Sequence, residues 1–179
     1  MHDITELYWL MDDFCKKFEP ILNAQLLTDG AKQRIRATSL SLAELMTLVV
    51  LFHQIRYRQF KSFYLHHVCQ HLRGEFPTLP SYSRCIELLP RCAMALYAFF
   101  GTVKGECSGV CIVDSTPLAR KRSLVETVFD QLKNLCQIEH TRHRSPLNFI
   151  VNLLGGIVAY CLTPSKTKLA LHSSNIVTL

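Results

Sequence analysis

The sequence predicts a mainly α-helical protein, and three observations carry that prediction. Apolar residues recur at three- and four-residue steps along most of the chain. Ser41-Leu42-Ala43-Glu44 has the spacing of a capping box, the reciprocal pair that opens a helix. A single β-branched run, Val110-Cys111-Ile112-Val113, reads as a short strand. The 179 residues are enough for one domain or two small ones, and 49% hydrophobic with 19% charged excludes a disordered chain. With 7 Gly and 7 Pro, low-complexity and collagen-like classes are excluded as well.

The first helix is expected over 3–27, where Ile4, Leu7, Met11, Phe14, Phe18 and Ile21 share a face. Pro20 is expected to kink or split it. Asp29-Gly30 marks a turn, and Lys32, Arg34 and Arg36 follow without an acid. The capping box then opens a helix through Leu45, Leu48, Val49, Phe52 and Ile55. Another follows at about 59–72, with Phe60, Phe63, Tyr64, Val68 and Leu72. After the break at Pro77 to Pro80, Tyr82 to Val103 reads as helix interrupted at Pro90.

At Gly109 the character changes. The strand at 110–113 is followed by Asp114-Ser115-Thr116-Pro117, which leaves the Asp114 carboxylate at its C-terminal end. The basic tripeptide Arg120-Lys121-Arg122 leads into a helix from Ser123, with Val125, Val128, Phe129, Leu132 and Leu135 on one face. Residues 140–144 form a basic loop containing Arg142 and Arg144. Residues 146–162 are apolar apart from Asn148 and Asn152, and Gly155-Gly156 reads as a break. Seventeen residues with two amides fit a buried helix better than a membrane span, and no membrane partner is expected. The tail from residue 163 is polar and expected to fray.

The net charge is +6, and it is clustered. The 30 residues between Glu44 and Glu75 contain no acid, yet they hold Arg56, Arg58, Lys61, Arg73 and four histidines among aromatics. Two readings stand for this pair of helices. It is a helix-turn-helix-like DNA reader with Arg56, Arg58 and Lys61 on the phosphates, or an ordinary helical pair with an aromatic core and solvated charges. His67 and His71, four apart, have the spacing of a metal-binding pair, although surface or phosphate-facing histidines give the same pattern. The eight cysteines include no C-x-x-C, and the N-terminus has no basic-then-apolar signal peptide. Reduced, buried thiols in a cytoplasmic protein are therefore expected.

Arg122, Glu126 and Lys133 fall within about 40° of one another on an α-helix. A carboxylate flanked by two cations can hold Mg²⁺ while its neighbours grip phosphate oxygens. The same stripe is also what a surface ion-pair row looks like.

The segment from Cys111 to Leu118 resembles the first catalytic segment of bacterial insertion-sequence transposases. RKRSLVETVFDQLKNLCQIEHTRHRSP, from Arg120, and NFIVNLLGGIVAYCLTPSK after it are similar to their C-terminal part. The specific resemblance is to insertion-sequence family nine-eight-two, and it extends to SLSLAELMTLVVLFHQIRYRQFKSFYLHHV near the N-terminus. It implies a DDE-type transposase with an RNase H-like core, three acids binding two divalent metals (usually Mg²⁺), and the terminal repeats of an insertion sequence as DNA partner. Asp114 matches the first acid and Glu126 the last, which makes both catalytic and metal-binding by resemblance. Arg122 and Lys133 match the R-x₃-E-x₆-K pattern that contacts DNA in related enzymes. The tyrosine expected three residues before that arginine is replaced by Ala119.

Only 11 residues, 115–125, separate Asp114 from Glu126, and none is acidic. In the family this interval holds most of the core sheet and the second catalytic aspartate. The resemblance thus implies an internally deleted transposase. A helical N-terminal, DNA-binding domain (1–106) precedes a truncated core of one short strand and two helices (107–162) and a tail (163–179). Helices that have lost their sheet must pack on the N-terminal helices, dimerise, or stay partly molten. The expected function is that of a transposase defective in catalysis. The alternative is a non-enzymatic DNA-binding remnant that inhibits full-length transposase, with homo-oligomers or that enzyme as protein partners.

Overall fold

The computed structural model describes residues 3–28, 39–104, 110–111, 126–134, 145–163 and 177–178. The first helix, α1 (Ile4–Thr28), buries Leu7, Met11 and Cys15 at successive four-residue steps. Phe14 stacks on Phe18 at 5.2 Å between centroids and meets Phe99 edge-on. Asp12 and Lys16 pair at 2.6 Å on the solvent side, where an i,i+4 bridge contributes a few tenths of a kcal/mol at most. The expected split at Pro20 does not occur, and the helix runs through it. Pro20 is exposed, as is Lys16 one turn earlier, whose carbonyl loses the donor that proline lacks.

The second helix, α2 (Leu42–Gln54), is the centre of the fold, because all of its residues from Leu45 to His53 are buried. An all-round apolar helix needs partners on every side, and α2 packs against α1 and against the C-terminal helix. Thr47 fits this interior because its hydroxyl donates to the Ala43 carbonyl at 2.8 Å. The capping box forms as the sequence predicts. The Glu44 N–H donates to Ser41 Oγ at 3.1 Å, and the Ser41 N–H donates to Glu44 Oε2 at 2.6 Å. Ser41→Ala is expected to cost about 1 kcal/mol, or roughly 2–4 °C of melting temperature in a chain of this size. An unchanged thermal melt would show that the cap adds nothing.

The next helix, α3 (60–71), is regular only at its ends. Phe60–Ser62 and Cys69–His71 are α-helical, and Phe63–Val68 between them is a π-turn. Side-chain burial gives the reason. Phe63 and Val68 are both fully buried, yet five residues along an α-helix would turn them roughly 140° apart. The wider turn brings both to the core. Helix α4 (Tyr82–Leu88) starts at Ser81, whose Oγ accepts from the Arg84 N–H. It passes through a 3₁₀ turn at Leu89–Cys92 into α5 (Ala93–Val103), so the predicted interruption at Pro90 is a tightening of the helix. By length and composition the stretch Tyr82–Val103 could cross a membrane.

Residues 126–134 form α6, and α7 spans Pro146–Cys161. The Gly155-Gly156 pair does not break α7. Both glycines are buried, and a Cβ on Gly155 would collide with Val49 Cγ1 and lie 3.3 Å from His53 Cδ2. The missing side chain is what lets α7 seat on α2. It packs on α5 as well, so this helix is held by N-terminal ones. The tail, expected to fray, instead supplies a strand near its end, where Val177–Thr178 (β2) pairs antiparallel with Val110–Cys111 (β1). Ile112 and Val113 lie outside the described residues.

Candidate nucleic-acid interface

The turn between α2 and α3 gathers three of the cations predicted to meet DNA. Ile55 ends α2, and Arg56 follows in the left-handed region at φ 64°. That conformation is usual just past a helix C-terminus, but glycine is the usual occupant, so an arginine there carries backbone strain. The Arg56 N–H donates to the His53 carbonyl at 3.2 Å, which fixes the turn. Arg56, Arg58 and Lys61 are all exposed.

Beneath them the aromatics form a ring-to-ring core. Phe52 meets Phe60 at 5.4 Å and Phe63 at 5.6 Å, while Tyr57 meets Phe63 at 5.6 Å. Of the two readings weighed for this segment, the aromatic core is therefore present, with the charges at its solvent edge. Tyr64 is buried and donates its hydroxyl to the Pro80 carbonyl at 2.6 Å, and burial pushes its phenol well above the ordinary range. Lys61 Nζ lies 6.0 Å from the Tyr82 ring centroid, at the edge of cation–π range. Sequence reasoning missed Tyr82 because its only signal was a place at a helix start. His67 packs against Phe63, Tyr57 and His71, and burial, then the neighbouring His71, lowers its imidazole below the ordinary value.

The second predicted cluster is only partly described. Glu126 lies on α6 with its side chain exposed, and Lys133 is exposed two turns later. Asp130, between them, accepts a hydrogen bond from Asn134 Nδ2 at 2.6 Å. Phe129, expected on the apolar face of this helix, is 59% exposed. Asp114, Arg120, Lys121, Arg122, Arg142 and Arg144 lie outside the described residues.

A two-metal centre needs several carboxylates converging on one point. Among the described residues no group of three His, Cys, Asp or Glu side chains does so. The described residues therefore do not supply the donor set for the Mg²⁺ pair that the resemblance implies. The eight-cysteine pattern gives no metal site there either. Cys15, Cys85 and Cys92 are buried free thiols, and burial pushes each of them up to about 12.

Residues 110–146 match the transposase DDE domain family. The match takes in Asp114, Glu126, the basic tripeptide and the basic loop, and it supports a DDE-type transposase. The family typically uses a divalent metal and acts on DNA. No curated protein and no solved structure matches the chain.

Proposed function

We propose that this chain is an internally deleted transposase of insertion-sequence family nine-eight-two, which binds DNA in the cytoplasm without cutting it. One observation carries the reading. The stretch that matches the transposase DDE domain includes both Asp114 and Glu126, yet only 11 residues, none acidic, lie between them. Two carboxylates cannot by themselves hold two metals in a fixed geometry, and the second aspartate has no local substitute. Asp130 is one helical turn from Glu126 and is engaged with Asn134. Mg²⁺ would supply activation of the attacking hydroxyl in the intact enzymes.

What remains is electrostatic grip. Arg56, Arg58 and Lys61 stand exposed over an aromatic base, in a stretch of sequence without acids, which favours attraction to phosphate. Arg120, Lys121, Arg122, Lys133, Arg142 and Arg144 would extend that grip along the matched segment. A second reading shares this observation. A folded helical unit that occupies terminal repeats without cleaving them would inhibit full-length transposase, by competition or by forming mixed oligomers.

The test combines a gel shift on the element's terminal repeats, over a salt series, with a cleavage assay in Mg²⁺. Binding is expected to weaken steeply with salt, and no nicked or joined product should appear. The triple variant R56A/R58A/K61A should flatten the slope of log K against log salt by about 3, close to one unit per lost phosphate contact. An unchanged slope would remove these residues from the interface. Mg²⁺-dependent nicking that D114A abolishes would overturn the defective reading.

A further inference from the structure

We propose that His67 and His71 form a two-imidazole site for a borderline divalent transition-metal ion, of the class of Ni²⁺, Zn²⁺ and Cu²⁺. The site lies on α3, and its first ring rests on Tyr57 of the neighbouring turn. The two rings lie one helical turn apart on α3, with centroids 5.7 Å apart and planes tilted by 54°. A metal–nitrogen bond of about 2.1 Å places each imidazole centroid roughly 3.2 Å from the ion. Two such arms span about 5.3 Å at a tetrahedral angle and about 6.4 Å when opposed. The observed separation falls inside that range, so the two rings are spaced to share one ion.

The first ligand is also held in place. The His67 ring lies against Phe63 at 5.8 Å, nearly parallel to it, and against Tyr57 at 5.9 Å. A half-buried imidazole between two aromatic rings loses little rotamer freedom on binding, whereas the exposed His71 supplies the ligand that closes. Water would complete the coordination, since no third His, Cys, Asp or Glu joins the pair among the described residues. The donor set selects the metal. Two imidazoles, joined by no carboxylate among the described residues, do not suit a hard, oxygen-seeking ion, so Mg²⁺ should not compete. An ion at this point would clamp the π-turn of α3 to the α-turn that follows it.

The experiment titrates the full chain with Ni²⁺ alone, under reducing conditions free of chelator, and reads affinity calorimetrically and melting temperature by circular dichroism. One ion per chain is expected, with a rise in melting temperature that excess Mg²⁺ neither reproduces nor blocks. H71Q, at an exposed position, should fold as the parent does and lose at least tenfold in affinity. H66Q, which removes the neighbouring exposed histidine, should leave binding unchanged. Equal affinity in the parent and H71Q would overturn the site, as would a loss of the same size in H66Q or displacement by Mg²⁺.

Discussion

Alanine at Gly155 is expected to destabilise the protein by about 1–2 kcal/mol, and valine there by several. The added methyl would meet Val49 Cγ1 well inside van der Waals contact and stand 3.3 Å from His53 Cδ2. Neither neighbour can give way easily. Val49 is β-branched and buried on a helix, which holds it close to one rotamer, and His53 is only 1% exposed. Two effects oppose each other. Alanine gains about 1 kcal/mol of helix propensity over glycine, while overpacking a close helix contact costs about 1–3 kcal/mol. A collision this deep belongs at the upper end of that range, so packing wins. Gly101 is the control, because a Cβ there meets nothing within 4 Å and G101A should stabilise slightly. Thermal melts of G155A, V49A and the double variant separate the terms, since V49A removes the obstructing methyl and should make G155A cheap. A G155A melting temperature at or above the parent's would mean that α2 and α7 do not meet here.

The contrast between these glycines shows where sequence reading stops. A glycine pair inside an apolar run is consistent with a break or with a close approach, and only the partner helix, about a hundred residues away, decides which. Ser41 and Glu44 were legible because both halves of the capping box lie within one turn. Pro20 was legible as an irregularity, but the outcome depended on whether that part of the helix is exposed. The π-turn of α3 follows from burying Phe63 and Val68 together, a demand set by the core and not by local propensity. At the candidate interface, the exposed cations could be read from a stretch without acids. The left-handed backbone of Arg56 and the ring of Tyr82 beneath Lys61 could not, because both depend on chain geometry outside the motif. Asp114 stands out by its place at a strand end and Glu126 by its helical spacing. Resemblance alone implies their catalytic role, and only their setting in the fold could turn two carboxylates into a site.

Alkali is expected to unfold this protein through its thiols. Cys15, Cys85 and Cys92 are each at most 4% exposed, and burial above all raises their pKa from 9.0 to about 12. Glu19 and Asp12 add to the effect at Cys15, and Cys69 adds to it at Cys85. The folded chain therefore keeps protons that the unfolded chain releases. The resulting stabilisation is complete below pH 9 and is lost as the pH rises from there toward 12. Each thiol loses roughly 1.4 kcal/mol per pH unit in that window, so three together approach roughly 4 kcal/mol per unit. From pH 9 to 12 the loss totals roughly 12 kcal/mol, so a stability near the lower end of the usual range of about 5–15 kcal/mol is exhausted a little over one unit above pH 9. Tyr64 acts in the same direction, because its buried phenol is also held protonated. In a variant whose other five cysteines are serine, thiolate absorbance at 240 nm and far-ultraviolet circular dichroism, followed together under reducing conditions, should change in one transition. Cys92→Ala should lower stability at neutral pH by about 1 kcal/mol, through a small cavity, yet make the alkaline decline shallower by about a third. Thiolates that appear near pH 9 while helicity stays intact would show that these sulfurs are reached by water, and that the core around α5 is looser than its packing implies.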